Sequence, residues 1–216
     1  LKTDKLDART RARVLTVVGT LKKMRGVWEG ALNCFEKARA LADGDDAYWA
    51  ESTARIASVH LARRDLPKAM EGYGEALDRL PPGQPRIEAR IRDEIATALL
   101  RNGDIGGASA SSDIAVARAG ETGDAELIGL CAATRGNVFI ARGDFAEAER
   151  SFSEALAKVR AGSNVRAEGT ILINLAGIQQ RRGNVDAAAA LWRDSAALLE
   201  RHGDPRYCMA LANLAT

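Results

Sequence analysis

The sequence predicts an all-α protein in which antiparallel helix pairs stack on one another as a solenoid. The main observation is a recurring turn, whose positions are spaced 38, 39, 40 and 40 residues apart. Such a steady period is typical of solenoids, because each unit buries its apolar face only against its neighbours. A second observation is that small and aromatic residues recur at helical spacing after the turns. The turn residues are Gly26, Arg64, Gly103, Gly143 and Gly183.

The stretch 135–156 shows the repeated unit most completely. Gly136 lies seven residues before the turn glycine Gly143. In the helix after the turn, a small, an aromatic and a second small residue stand at i, i+4 and i+7, so they share one face. This pattern predicts a seam of small residues into which aromatic side chains of the paired helix pack. The three residues after the turn are Ala148, Phe152 and Ala155.

The same template places each helix pair along the chain. The Pro-Pro-Gly run 81–83 ends the second pair, because proline cannot continue a helix. The third pair departs most from the template, since Ser112 fills its aromatic position and Gly106-Gly107 begins its second helix. Each of these glycines costs about 1 kcal/mol relative to alanine. The predicted pairs cover about 5–42, 46–80, 85–120, 124–160 and 164–201, and a further helix starts in 205–216.

These small and aromatic positions resemble the tetratricopeptide repeat. The period of 38 to 40 residues is similar to that of the long-period form found in kinesin light chains, spindle-orientation adaptors and many bacterial signalling regulators. The resemblance implies a right-handed superhelix that forms one domain over 1–216. The chain starts without methionine and stops inside a helical pattern, so we expect it to be a fragment of a longer protein.

The resemblance also implies where a partner binds. Members of the family bind peptides or proteins on a concave face formed chiefly by the first helix of each pair, where chaperone cofactors clamp a carboxylate with lysine, asparagine and arginine. Here Thr20 and Ser58 stand at clamp positions instead. An asparagine in this groove can bond a ligand backbone through both its carbonyl and its amide. The predicted central row is Thr20, Ser58, Thr97, Asn137 and Gly177, with Arg90 and Arg101 as charged contacts.

Composition argues against several other classes of protein. Charged residues make up 28% of the chain but nearly balance, for a formal net charge of +2, so no electrostatic case exists for nucleic acid or a membrane surface. No apolar run approaches the roughly 18–20 residues of a membrane span. The three cysteines are far apart and form no metal motif, which predicts buried thiols in a reducing, cytoplasmic compartment.

Catalysis has little support in the sequence. The chain has two histidines, His60 at a helix packing position and His202 beside a turn. No combination of a nucleophile, a general base and a residue that orients the base can be identified in the sequence. The carboxylates are spread along helix surfaces. We therefore expect no enzyme activity, no cofactor and no metal in this segment.

The predicted function is a protein–protein or protein–peptide interaction scaffold within a larger signalling or regulatory protein. Two alternatives stay open. One is a ligand- or peptide-sensing domain of a bacterial transcription regulator, similar to known long-period arrays. The other is a self-assembling scaffold, in which the terminal helix from Pro205 stacks on another copy.

Overall fold

The computed structural model describes residues 7–42 and 44–214, and these residues form eleven helices with no strand among them. The predicted all-α class is confirmed. The predicted helix positions at 5–6 and 215–216 lie outside the described residues. The helices are α1 (Ala8–Met24), α2 (Trp28–Ala40), α3 (Asp46–Ala62), α4 (Leu66–Arg79), α5 (Pro85–Arg101), α6 (Ile105–Thr122), α7 (Ala125–Arg142), α8 (Phe145–Ala161), α9 (Val165–Arg181), α10 (Val185–Arg201) and α11 (Tyr207–Leu214).

The turns inside the helix pairs share one backbone conformation. Gly143 adopts a left-handed conformation, φ 83°, directly after α7, which reverses the chain and satisfies the last carbonyls of the helix. Arg64 takes the same conformation after α3, φ 64°, where a side chain costs about 1–2 kcal/mol. Its occurrence at the one turn without glycine shows that the repeat geometry imposes the conformation. The sequence period therefore reflects a recurring backbone shape.

The chain comprises two compact units, which we call unit 1 (residues up to Ala98) and unit 2 (residues from Leu99). In unit 1, Phe35 of α2 is 1% exposed and packs in a cluster with Leu32 and with Val59 of α3. A Cβ atom on Gly19 of α1 would lie 2.7 Å from the Phe35 ring. The glycine is therefore needed for α1 to approach α2.

In unit 2, the core repeats the same arrangement. Phe152 of α8 is fully buried, and a Cβ atom on Gly136 of α7 would lie 2.9 Å from its ring. The same cluster includes Ile171 and Ile178 of α9, so α8 packs on both of its neighbours. The residues predicted for this seam, Ala148, Phe152 and Ala155, each have an exposed fraction of 0%.

The glycines that open α6 have a local role. The Asp104 carboxylate accepts a hydrogen bond from the Gly107 N–H at 2.9 Å and caps the helix. A Cβ atom on Gly107 would lie 2.5 Å from that carboxylate. Ser112 at the aromatic position is fully buried, and its hydroxyl donates to the Ser109 carbonyl at 2.9 Å. Helix α6 thus has one internal hydrogen bond at the position where the other second helices have an aromatic side chain.

The cysteine prediction is only partly correct. Cys34 and Cys131 are buried, as expected, whereas Cys208 is exposed on α11. Ala210 is the buried residue of this short helix, so most of its side chains face outward.

The corner before α11 contains a buried carboxylate. Asp204 is 7% exposed and pairs with Arg166 of α9 at 2.9 Å and with Arg206 at 2.8 Å. Hydrogen bonds from the Arg206 side chain hold the pKa of the Asp204 carboxyl well below its usual range, and the charge of Arg166 acts in the same direction. This ion-pair group joins α9 to the segment that leads into α11.

We expect Asp204→Asn to lower the melting temperature at neutral pH. The difference in melting temperature from wild type should become smaller in acid. Because the folded-state pKa is depressed, the contribution of Asp204 is complete above its unfolded pKa of about 4 and is lost as pH falls through the folded value. Thermal melts between pH 7 and pH 2 should therefore show wild type and variant converging below about pH 4. Asp113→Asn, at an exposed carboxylate of α6, is the matched control. A difference that stays constant with pH would contradict this role.

Candidate functional site

A cavity of about 200 Å³ in unit 1 collects three of the predicted site residues. It lies among the first helices of successive pairs, α1, α3 and α5, which contribute Thr20, Ser58 and Arg90 respectively. The apolar part of its wall is formed by Phe35, Ala54, Ile87 and Ile91. The structure thus brings together three of the residues that the resemblance to the tetratricopeptide repeat placed on the concave face.

The hydroxyl groups at the cavity are already hydrogen-bonded. Ser58 is 6% exposed, and its hydroxyl accepts from the Lys23 ammonium at 2.7 Å and donates to the Arg55 carbonyl at 2.7 Å. Thr20 donates to the carbonyl of Thr16, one turn earlier in α1, at 2.9 Å. Ser58 therefore holds Lys23 against the wall, so that α1 and α3 are fixed relative to each other where the cavity opens.

The cavity carries an excess of positive charge. Both of its carboxylates have partners within the protein, since Glu51 pairs with Arg55 at 2.7 Å and Glu94 accepts from the Tyr73 hydroxyl at 2.8 Å. Arg90 is exposed at the rim. The charged groups are Lys23, Arg55, Arg86 and Arg90 as cations and Glu51 and Glu94 as anions.

The register prediction did not include all of these charges. Arg86 lies one helical turn before Arg90 on α5, so the i, i+4 spacing of these two arginines was the available sequence signal. Arg55 was harder to infer, because its placement depends on the ion pair with Glu51. Its Nε is buried without a hydrogen-bond partner in the described part of the chain.

A second recess in unit 1, of about 500 Å³, extends along α1. It is lined by Arg9, Arg13 and Val17 of α1 and by Tyr48 of α3. The Tyr48 and Thr16 hydroxyls lie 2.9 Å apart and connect the two helices at its base. This recess is larger than the cavity, and its two arginines are matched by the carboxylates of Asp45 and Glu51, which also line it.

The remaining predicted residues lie outside this cavity. Thr97 is half-buried near the end of α5, and Arg101 is exposed at the start of unit 2. In unit 2 the carbonyl oxygen of Asn137 accepts from the amide of Asn174 on α9 at 3.0 Å. Around Gly177, an added Cβ atom would meet no atom within 4 Å, so this position faces open space.

The hydrogen bond between Asn137 and Asn174 changes how Asn137 can act. The sequence suggested that its carbonyl and amide were both available to a ligand backbone, yet the carbonyl already binds Asn174. The two asparagines are 37 residues apart, about one period, and occupy adjacent first helices. This pair was therefore detectable in principle from the register of the repeats.

Other chemistry is limited in the residues that the structure describes. In ranges 7–42 and 44–214 no group of three or more potential metal ligands is found, and no helix there is long and apolar enough to cross a membrane. His60 is half-buried on α3. The Nδ1 atom of His202 lies 2.9 Å from the Leu198 carbonyl at the end of α10, as expected for a residue that caps a helix.

Comparison with solved structures identifies the fold. A Rap protein complexed with Competence and Sporulation Factor superposes with a TM-score of 0.77 at 18% identity, over 95% of this chain and 58% of that protein. A signal transduction ATPase with a tetratricopeptide repeat sensor from Pyrococcus horikoshii gives 0.77 at 16%, over 94% and 32%. Kinesin light chain-like repeats from Podospora anserina give 0.65 at 17%, over 92% and 99%.

The chain thus has the tetratricopeptide-like fold of a helical-repeat solenoid, as the sequence predicted. It spans about three fifths of the Rap protein's length, since 58% of that protein is covered. No protein-family model matches the sequence, and no curated protein does either.

Proposed function

We propose that this chain is a protein- or peptide-binding scaffold within a larger signalling or regulatory protein, and that its binding surface includes the cavity of unit 1. The observation that carries the proposal is the convergence of Thr20, Ser58 and Arg90 on one preformed concavity. The bonds of Ser58 to Lys23 and Arg55 fix the cavity wall in advance. A preformed site reduces the ordering cost of association, so a short peptide can bind without folding the receptor.

The charge of the cavity favours an acidic ligand. Four cations face two carboxylates, and both carboxylates are engaged by Arg55 and Tyr73. A peptide carboxylate beside Arg90 would gain a charge-assisted hydrogen bond, which is about twice as strong as a neutral one. The apolar wall around Ile87 and Ile91 would cover the hydrocarbon part of the peptide. We therefore propose an extended segment that carries aspartate or glutamate.

A sensor role is the first alternative, and two of the similar structures favour it. One is a Rap protein complexed with Competence and Sporulation Factor, and another is an ATPase that carries a tetratricopeptide repeat sensor. In that role the same cavity would take a signalling peptide, and the bound state would alter an attached effector domain. Independently of this role, we propose that the repeats form a single domain over residues 1–216, which is the arrangement that the sequence predicts.

Self-association through α11 is the second alternative. Met209 and Leu211 on this helix are 57% and 48% exposed, so apolar side chains are available there for a contact with another copy. A mass that rises with concentration in light scattering would support it. For location, we propose the cytoplasm on the basis of the cysteine content alone.

The acidic-peptide proposal predicts that Arg90→Glu weakens binding by about tenfold or more, because it converts an attractive charge into a repulsive one. Fluorescence anisotropy would be measured with labelled six-residue peptides that have aspartate at alternate positions, and with the same peptides carrying asparagine. Lys37→Glu makes the same change of charge at an exposed site on α2 and should leave binding unaltered. Thr20→Trp, which fills the cavity without changing charge, should also weaken binding. Equal affinity for the aspartate and asparagine peptides would show that the charge excess does not select the ligand.

A further inference from the structure

An ion pair between Glu51 and Arg55 forms part of the wall of the unit 1 cavity. Nη2 of Arg55 lies 2.7 Å from Oε1 of Glu51, and both side chains line the cavity. The Arg55 side chain is 23% exposed and the Glu51 side chain 34%, so a molecule in the cavity can reach both groups. The two residues are one helical turn apart on α3, so this contact forms within a single helix.

The other carboxylate of the cavity is held in a different way. Glu94 of α5 accepts a hydrogen bond at 2.8 Å from the hydroxyl of Tyr73, whose exposed fraction is 0%. The partner of Glu94 is therefore a neutral group inside the protein. Glu51 is instead bound to a guanidinium in the cavity wall, which is the kind of group that a ligand carboxylate binds strongly. Glu51 and an acidic ligand would thus use the same partner, Arg55.

The pair of Glu51 and Arg55 is weak enough for a ligand to break. An exposed ion pair at i, i+4 contributes little to stability, because each charge keeps part of its hydration and both side chains lose freedom. A ligand carboxylate that replaces Glu51 on Arg55 forms a contact of the same kind. It also leaves the Glu51 carboxylate nearby without its cation, and like charges repel each other. Glu51 therefore opposes an acidic ligand both by occupying Arg55 and by repulsion.

Glu51 also lies where the cavity meets the larger recess of unit 1. Glu51 and Ile87 line both concavities, so an extended ligand that passes from one to the other runs along the Glu51 carboxylate. Asp45 adds a second carboxylate to the recess, which balances the arginines there. The cavity, by contrast, has four cations and two carboxylates. The carboxylates of a ligand are therefore better accommodated in the cavity, at Arg55, than in the recess.

We propose that Glu51 is an internal competitor of the ligand, whose carboxylate occupies Arg55 in the free protein and is displaced when an acidic peptide binds. This inference rests on the proposed function, because it concerns the same cavity and the same class of ligand. A neutral peptide leaves the pair intact and gains no contact with the Arg55 guanidinium. Glu51 thus sets the affinity of the cavity for acidic ligands.

The test compares the 216-residue wild-type chain with Glu51→Gln, Arg55→Met and the double variant. The probes are the labelled aspartate and asparagine peptides of six residues, and fluorescence anisotropy measures their affinities. Glu149→Gln is the matched control in unit 2, because the Glu149 side chain is 32% exposed and pairs with Arg182 at 2.5 Å. Thermal melts of every variant would confirm that it is folded.

We expect Glu51→Gln to bind the aspartate peptide about three- to fivefold more tightly than wild type, which is the size of the contribution of an exposed ion pair. Its affinity for the asparagine peptide should stay the same. In the Arg55→Met background the same substitution should produce a smaller gain, because no guanidinium remains to be released. Glu149→Gln should bind both peptides as wild type does.

The possible failures separate this inference from the proposed function. If wild type prefers the aspartate peptide but Glu51→Gln brings no gain, the inference is overturned and the proposed function stands. An equal gain with and without Arg55 would also overturn the inference, since Glu51 would then act only through its negative charge. If no form of the protein binds the aspartate peptide, the proposed function fails and the inference fails with it.

Discussion

Replacing Phe152 by alanine is expected to lower the free energy of unfolding of unit 2 by about 3–5 kcal/mol. The ring is fully buried, and its cluster joins α8 to Ile171 and Ile178 of α9. It also packs against α7 at Gly136, where no side chain can move in to fill the space. The substitution therefore removes apolar contacts on two sides and leaves a cavity that relaxes poorly. Urea unfolding followed by far-UV circular dichroism would measure the loss.

Ser153→Ala is the matched control for this substitution, because Ser153 is the exposed neighbour of Phe152 on the same helix. It should change stability by no more than about 0.5 kcal/mol. A loss below about 1 kcal/mol for Phe152→Ala would mean that the seam collapses around the missing ring. In a repeat protein the units need not unfold together, so the transition of unit 2 would be resolved from that of unit 1.

The fold could be predicted because its main contact is periodic in the sequence. Phe35 and Phe152 each lie 16 residues after a glycine, Gly19 and Gly136 respectively, and both rings pack on those glycines. Size is the property that decides this contact, and residue size can be read directly from a sequence. The same spacing joins Ala176 to Trp192, which lie together in another cluster of unit 2. A repeated steric relation of this kind specifies the pairing of helices.

The binding surface could be predicted only in part, because a polar side chain can form hydrogen bonds with any of several partners. Thr20, Ser58 and Arg90 line one cavity, and their register positions could be read from the sequence because backbone position determines which face of a helix a residue occupies. It did not show that Ser58 binds Lys23, or that Asn137 binds Asn174. Both contacts join helices about one period apart and depend on side-chain rotamers, which the period does not constrain. The charge of the cavity therefore emerged only with the structure.

The exposure of Leu21 could not be predicted for a different physical reason. In a sequence, Leu21 looks like any apolar residue of an amphipathic helix, and its register equivalents Val59 and Ile178 are buried. Whether such a position is covered depends on the element that packs on it. The structure shows that Leu21 is 53% exposed, which its register position does not predict.

Gly136→Leu is expected to destabilise unit 2 by about 1–3 kcal/mol, despite the higher helix propensity of leucine. A Cβ atom at this position would lie 2.9 Å from the Phe152 ring, and the rest of a leucine side chain would need still more room. The ring cannot move aside easily, because it is fully buried among α8 and α9 side chains. Either α7 or the ring must shift, and each of these movements loses packing contacts. Urea unfolding midpoints would show the loss.

Gly177→Ala is expected to have the opposite effect on α9, which is the first helix of the following pair. Its added Cβ atom would meet nothing within 4 Å, so the substitution should stabilise α9 by about 0.5–1 kcal/mol through backbone entropy. If both glycines served only as flexible helix positions, both substitutions would be stabilising. The double variant Gly136→Leu with Phe152→Ala tests the contact itself, because leucine then enters the space that the ring vacates. Its destabilisation should be smaller than the sum of the two single losses, and strict additivity would show that Gly136 and Phe152 do not share this space.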